Sequence, residues 1–146
     1  MKRLTILIPV ILLLAFSLTG CFENGNGSVN KSIHVPAGTT SDHGKSSVNG
    51  SITIEDNCTI NGKCSTVNGS IRIGSNCNTG KLTTVNSSIT VGSNSNINGK
   101  ISTVNGKLNL GEKVNVDGPI TTVNGKIICG PGTVVIGKVA NVNGHI

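Results

Sequence analysis

Apolar residues in this chain recur in pairs separated by one polar residue. Between Val104 and Val123, Leu108 and Leu110 form one pair and Val114 and Val116 form the next. Residues two apart lie on the same face of a β-strand, so each pair predicts a short strand with two inward side chains. No window keeps the 3.6-residue period of an amphipathic helix, which argues against a helical domain.

A Val-Asn pair marks each copy of a longer repeat. Seven copies follow one another at spacings of 19, 19, 18, 19, 19 and 19 residues. Counted from each valine as position zero, apolar residues fall at positions 4, 6, 10, 12 and 16, which predicts three short strands and three corners per repeat. A fixed period of this size indicates stacked units that cannot bury their apolar faces alone. Asn-Gly is also a hairpin signal, but like residues recurring at one position favour parallel stacking over a meander.

The sequence therefore predicts an all-β fold, a single-stranded parallel β-helix (β-solenoid) over residues 29–146. It has about six coils of 19 residues, with a right-handed coil favoured. Residues 29–47 form a degenerate coil, with Thr39, Ser41 and His43 where later coils carry aliphatic residues, and we expect it to cap the solenoid. The last coil, ending in "VNGHI", has no polar cap, so its strand edge is expected to be a template for pairing with another chain.

The first twenty residues have the features of an export signal. Lys2 and Arg3 precede the apolar run "LTILIPVILLLAF", which is too short for a comfortable membrane span. Residues 18–21, "LTGC", resemble the lipobox of bacterial lipoproteins, in which the cysteine receives a lipid and becomes the mature N-terminus. The resemblance implies a signal peptide at 1–20, a lipidated Cys21 with a tether over 21–28, and a location at the cell membrane or outer membrane, facing the periplasm or the exterior. An uncleaved anchor and plain secretion are the alternatives.

Composition limits the partners of this chain. Its 146 residues include two Phe, no Trp and no Tyr, so burial must come from Val, Ile and Leu. Without Lys2 and Arg3 there are ten basic and six acidic residues, and the net charge of 10 − 6 = +4 is spread thinly along the chain. This is not the charge pattern of a nucleic-acid-binding protein. Corner lysines such as Lys63 and Lys100 either form a solvated edge or face an anionic surface.

Three families resemble parts of the repeat. The strings "VGSNSNINGKI" (91–101) and "LGEKVNVDGPI" (110–120) resemble bactofilins, bacterial cytoskeletal proteins, which implies β-helical domains that join end to end. The string "TVNGSIRI" (66–73) resembles bacterial adhesin-like β-solenoid domains, which implies a binding module. "LGEKVN" and "VDGPIT" fit the hexapeptide rule of acyltransferase left-handed β-helices, but the extra residue per coil argues against that coil. The lipoprotein signal departs from the bactofilin pattern.

The asparagine at position 1 is the most regular polar residue of the repeat. We expect it to form a structural stack in which side chains bond from coil to coil and satisfy corner backbone groups. The stack comprises Asn30, Asn49, Asn68, Asn86, Asn105, Asn124 and Asn143.

The threonine before the repeated valine suggests a second, sharper hypothesis. If the valine points inward, the threonine and the asparagine point outward together, which resembles the ice-binding faces of β-solenoid antifreeze proteins. The threonines are Thr66, Thr84, Thr103 and Thr122.

Cys58 and Cys77 share position 10 in adjacent coils, so their Cα atoms are expected within the ~4.4–6.8 Å range that a disulfide requires. The alternative is a pair of small buried thiols. No Cys-x-x-Cys or paired-His spacing predicts a metal, and no catalytic set or cofactor motif is present. The constant coil length leaves no inserted loop to build a cleft.

These features together predict a non-catalytic, lipid-anchored envelope protein that acts as a structural scaffold or interaction module. Self-association through the coil ends, into a homo-oligomer or filament, is the expected partnership. An adhesin-like surface module is the alternative, and no nucleic acid or small-molecule substrate is expected.

Overall fold

The structure, a computed structural model, describes residues 27–146. The expected signal peptide, Cys21 and most of the expected tether lie outside these residues. Nineteen short strands and the turns between them make up the described chain. The strands are β1 (Gly27–Ser28), β2 (Ile33–Val35), β3 (Thr40–Ser41), β4 (Lys45–Ser47), β5 (Ile52–Ile54), β6 (Thr59–Ile60), β7 (Cys64–Ser65), β8 (Ile71–Ile73), β9 (Asn78–Thr79), β10 (Leu82–Thr83), β11 (Ile89–Val91), β12 (Asn96–Ile97), β13 (Ile101–Thr103), β14 (Leu108–Leu110), β15 (Asn115–Val116), β16 (Ile120–Thr122), β17 (Ile127–Cys129), β18 (Val134–Val135) and β19 (Val139–Asn141).

Every third strand joins the same parallel sheet. Sheet A contains β1, β4, β7, β10, β13, β16 and β19, sheet B runs from β2 to β17, and sheet C runs from β3 to β18. Ile52 pairs with Ile71 at a separation of 19 residues. Ile71 pairs with Ile89 at a separation of 18 residues, which matches the one repeat that is a residue shorter than the others. The predicted parallel β-solenoid, with about six coils and three strands per coil, is confirmed.

The core is a column of aliphatic side chains enclosed by the three sheets. Ile89, Val91, Ile97 and Ile101, at positions 4, 6, 12 and 16 of one coil, are each 0–1 % exposed. Because the strands alternate, the intervening residue on sheet B, such as Thr90, lies on the outer side. Each coil alone has open faces above and below, so burial depends on its neighbours.

One corner of each coil requires a left-handed backbone. Position 9, between sheets B and C, has φ values of 52–74° in all six coils. Glycine and asparagine tolerate this conformation best, and they occupy five of the six positions. The residues are Gly38, Asn57, Asn76, Asn94, Lys113 and Gly132.

The solenoid begins slightly earlier than the sequence suggested. Gly27 and Ser28, which were assigned to the tether, form β1 and pair with Ser46 and Ser47 of β4. The expected capping coil, residues 29–47, forms strands like the later coils, with Val35 buried in the core. In residues 27–146 there is no helix of the length and apolarity needed to cross a bilayer.

Candidate functional site

The asparagines at position 1 form a continuous ladder along one corner. From Asn49 onward, each Nδ2 donates to the Oδ1 of the asparagine one coil earlier, at 2.8–3.0 Å. All seven side chains are exposed to solvent. A shorter ladder on sheet C joins Asn98 to Asn78 at 2.6 Å and Asn115 to Asn96 at 3.1 Å. The arrangement holds successive coils together at their surface, and each inner amide keeps one N–H and one acceptor lone pair that the ladder does not use.

The orientation expected for the threonines is wrong. Thr66, Thr84, Thr103 and Thr122 are 0–1 % exposed. Thr66 Oγ1 donates to the Gly50 carbonyl oxygen at 3.0 Å and accepts from the Gly69 backbone N–H at 3.2 Å. The residue before the valine therefore points inward. The hydroxyls of Thr84 and Thr103 also donate to corner carbonyls, whereas the buried Thr122 hydroxyl has no partner among the described residues.

The repeated valines correspondingly lie outside the main core. Val104 and Val123 are 4 % and 3 % exposed but are not members of the core cluster, and Val29 and Val142 are 50 % and 48 % exposed. The expectation that this valine points into the core is wrong, because the corner turns immediately after the inward threonine. The valine is thus buried in two of the seven copies and half-buried or exposed in the other five, and in none of them does it join the core cluster.

The face proposed for ice binding is also missing from coils two to four. The threonines point inward, and the residues that precede three of them are also only 0–2 % exposed. These residues are Ser65, Thr83 and Ser102. Without accessible hydroxyl groups, the Thr-x-Asn array cannot order water on that side. Only the asparagines of the array reach solvent.

Cys58 and Cys77 lie one above the other as free thiols. The Cys58 backbone N–H donates to Cys77 Sγ at 3.4 Å, and Cys77 Sγ donates to the Glu55 carbonyl at 3.1 Å. Burial raises the pKa of the Cys77 thiol. The hydrogen bond from the Cys58 backbone N–H lowers it by less, and the Cys58 thiol and the Asp56 carboxylate raise it. Of the two alternatives drawn from the sequence, the structure contains the unbridged one. Cys64 is buried, whereas Cys129 is exposed in the last strand of sheet B.

Apolar and polar residues of the first coil, among them Ile33, Val35, Ser41 and Lys45, line a shallow cavity of about 440 Å³. Lys45 Nζ donates to Ser41 Oγ at 3.1 Å, and Ser41 Oγ donates to the His43 carbonyl at 3.1 Å. Because Lys45 is the donor, this pair does not activate the serine hydroxyl. His34 contacts Glu55 at 3.3 Å nearby. Within residues 27–146, no group of three or more His, Cys, Asp or Glu side chains is placed to hold a metal ion.

The last described coil differs from the others on its outer surface. Ile128, Val134 and Ile136 are 43 %, 52 % and 66 % exposed. The coil before it carries Asn109, Asn115 and Asp117 at the same positions, and earlier coils carry polar residues or glycine there. Sequence reasoning missed this patch, although the strings "IIC" and "VVI" break the alternation of apolar and polar residues and could have revealed it.

Comparison with protein-family models, curated proteins and solved structures found no match.

Proposed function

We propose that this chain is a lipid-anchored, non-catalytic envelope protein whose solenoid is a structural scaffold that associates with other copies through its last coil. The exposed apolar patch of that coil carries the proposal. Each coil before it carries polar residues or glycine at these three positions, so the change at Ile128, Val134 and Ile136 marks one end of the rod as different. Exposed apolar residues grouped at one place on a protein are typical of protein–protein contact.

Unpaired strand edges at the same end support a second copy as the partner. Among the described residues, β17, β18 and β19 are the outermost strands at this end of their sheets, and only the Ile127 N–H of β17 has a backbone partner beyond them, the His145 carbonyl oxygen. A strand from another copy would supply the missing backbone partners and would cover the apolar patch. Two identical ends can meet about a two-fold axis, so a closed dimer through this end is the minimal assembly.

The uniform coils support a non-catalytic role. The polar groups in the first-coil cavity are already bonded to one another, and the cysteines of the interior are buried. The resemblance of the repeat to bactofilins and of "LTGC" to the lipobox supports a scaffold held at a membrane.

Association is tested with the full chain, processed in a bacterial host, extracted in mild detergent, and studied by sedimentation velocity and electron microscopy. Wild-type protein should form end-to-end dimers or longer rods. The variant Val134→Asn with Ile136→Asp copies the polar residues of the preceding coil, Asn115 and Asp117, and should be monomeric with an unchanged circular dichroism spectrum.

A wild-type protein that stays monomeric at high concentration would contradict the scaffold and favour the adhesin-like module. The anchor is tested separately, because blocking lipoprotein signal peptidase should change the mobility of the chain and Cys21→Ser should abolish lipid labelling. Unchanged mobility would contradict the anchor and would leave the association result standing.

A further inference from the structure

Lysines are concentrated along the two borders of sheet A. Of the nine lysines in residues 27–146, eight lie in the corners or strand starts that flank this sheet, and Lys113 lies at the corner between sheets B and C. The eight are Lys31, Lys45, Lys63, Lys81, Lys100, Lys107, Lys126 and Lys138. Asp42 and Asp117 share these borders, so their net charge is 8 − 2 = +6.

The opposite corner has the opposite sign. Between sheets B and C lie Glu55, Asp56, Glu112 and Lys113, with a net charge of 1 − 3 = −2. The solenoid therefore has a positive side and a weakly negative corner. A charge distribution of this kind orients a protein in the field of a charged surface.

The strand register stacks three of these lysines in consecutive coils. Leu82 pairs with Cys64 and with Ile101, so the preceding residues, Lys63, Lys81 and Lys100, are neighbours about 4.8 Å apart along the border. Burial lowers the pKa of Lys100, and the positive charge of Lys81 lowers it further. Neither Lys81 nor Lys100 makes an ion pair with an acidic residue of the described chain. An anionic group outside the described residues would stabilise both charges.

We propose that the positive side of the solenoid, with sheet A, faces an anionic phospholipid bilayer. This inference rests on the membrane attachment proposed above. The first described strand, β1, belongs to sheet A, and only five residues lie between Cys21 and Gly27, which is six residue steps along the chain. An anchor at Cys21 would thus hold this side within about 20 Å of the headgroups. Two charged borders on one sheet suit an extended surface better than a single polymer strand, and basic residues are attracted to anionic lipid within a Debye length.

Lysine labelling tests the orientation on the full chain. Protein processed in a bacterial host is added to preformed vesicles of phosphatidylcholine alone, or of phosphatidylcholine with an equal amount of phosphatidylglycerol. A water-soluble amine reagent is then applied, and peptide mass spectrometry gives the labelling rate at each lysine. In the anionic vesicles the rates at Lys81 and Lys100 should fall about fivefold, the factor expected for one basic residue at such a surface. Labelling at Lys113 should not change, and high salt should restore the rates at Lys81 and Lys100.

Variants test whether the stacked lysines, rather than the overall net charge, cause the protection. In the double variant Lys81→Gln with Lys100→Gln, the protection of Lys138 should be lost, whereas the matched control Lys113→Gln should retain it. Equal protection of Lys113 and Lys81 in the wild type, or no protection of either, would overturn the proposal without use of any variant. Protection by inorganic polyphosphate, with none by the anionic bilayer, would assign the border to a soluble polyanion and would also overturn it. Lipid on the Cys21 peptide, measured in the same experiment, shows independently whether the anchor exists.

Discussion

Replacing Thr66 by valine tests which way the corner threonines point. The change keeps the shape of the side chain and removes its hydroxyl group. An outward threonine would tolerate it, because valine is at least as favourable on a strand surface. In the structure, however, Thr66 Oγ1 is the hydrogen-bond acceptor for the buried Gly69 N–H and donates to the Gly50 carbonyl.

The magnitude follows from these two backbone groups. A buried donor left without a partner costs about 1–3 kcal/mol, and the lost bond to the carbonyl contributes about 0.5–1.5 kcal/mol. Partial relaxation reduces the sum, so we expect Thr66→Val to lower the free energy of unfolding by about 2–3 kcal/mol. With an m-value of about 2 kcal/mol per molar urea, the midpoint should fall by about 1 M.

The control is Thr90→Val. Thr90 occupies the outer side of β11, is half-buried and makes no side-chain hydrogen bond within the described chain, so its change should lie within about 0.5 kcal/mol. Urea unfolding followed by circular dichroism gives both values. Because a repeat protein can unfold in parts, amide hydrogen exchange at Gly69 provides a local measurement, and that amide should exchange faster in Thr66→Val only. Equal midpoints for the two variants, with an unchanged Gly69 rate, would refute the inward orientation.

Three further predictions concern the ladder, a close contact and a thiol. Asn105→Ala removes two exposed ladder bonds and should cost about 1 kcal/mol in urea unfolding, whereas Asn109→Ala, which breaks no side-chain bond, should cost less than about 0.5 kcal/mol. Gly106→Ala places a Cβ against the Ser87 carbonyl of the preceding coil and should lower stability by about 1–3 kcal/mol; an unchanged midpoint would disprove the close contact. Burial raises the pKa of the folded Cys77 thiol above 9.0, so folding favours the neutral thiol. The free energy of unfolding should therefore keep its full value at pH 7 and fall as the pH rises above 9.0. Cys77→Ala should reduce this alkaline loss, and equal losses in both proteins would contradict it.

The architecture was predictable because the period is a property of the chain itself. Positions 4 and 6 carry aliphatic residues in nearly every coil, and equivalent residues stacked at one position admit few alternatives to parallel pairing. The left-handed corner could also have been located, since Gly or Asn recurs at position 9. Lys113 breaks that rule, and its φ of 52° shows that register, rather than residue preference, fixes the backbone there.

The corner after sheet A was misread because two adjacent residues compete for the interior. Valine is the more apolar residue of each Thr-Val pair, so the apolar pattern alone predicts that the valine faces inward. A tight corner, however, leaves backbone N–H and C=O groups facing inward, and burying them without partners costs more than exposing part of a valine. Thr66 supplies a donor and an acceptor to such groups, and Val67 remains half-buried outside the core. Periodicity identifies which residues are equivalent, but hydrogen bonding decides which of them face inward.

The two proposed surfaces lie in directions that are compatible with each other. Sheet A runs along the solenoid, so a bilayer against the positive side places the coil axis parallel to the membrane. The apolar patch of Ile128, Val134 and Ile136 belongs to the last coil, at one end of that axis, where ends of neighbouring molecules can meet. Confinement to a plane raises their effective concentration. Lys81→Gln with Lys100→Gln should therefore weaken association on anionic vesicles and leave association in detergent unchanged, whereas Val134→Asn with Ile136→Asp should abolish both. Sedimentation and cross-linking on vesicles measure the difference, and an equal effect of the lysine changes in detergent would show that those lysines act at the contact between copies instead.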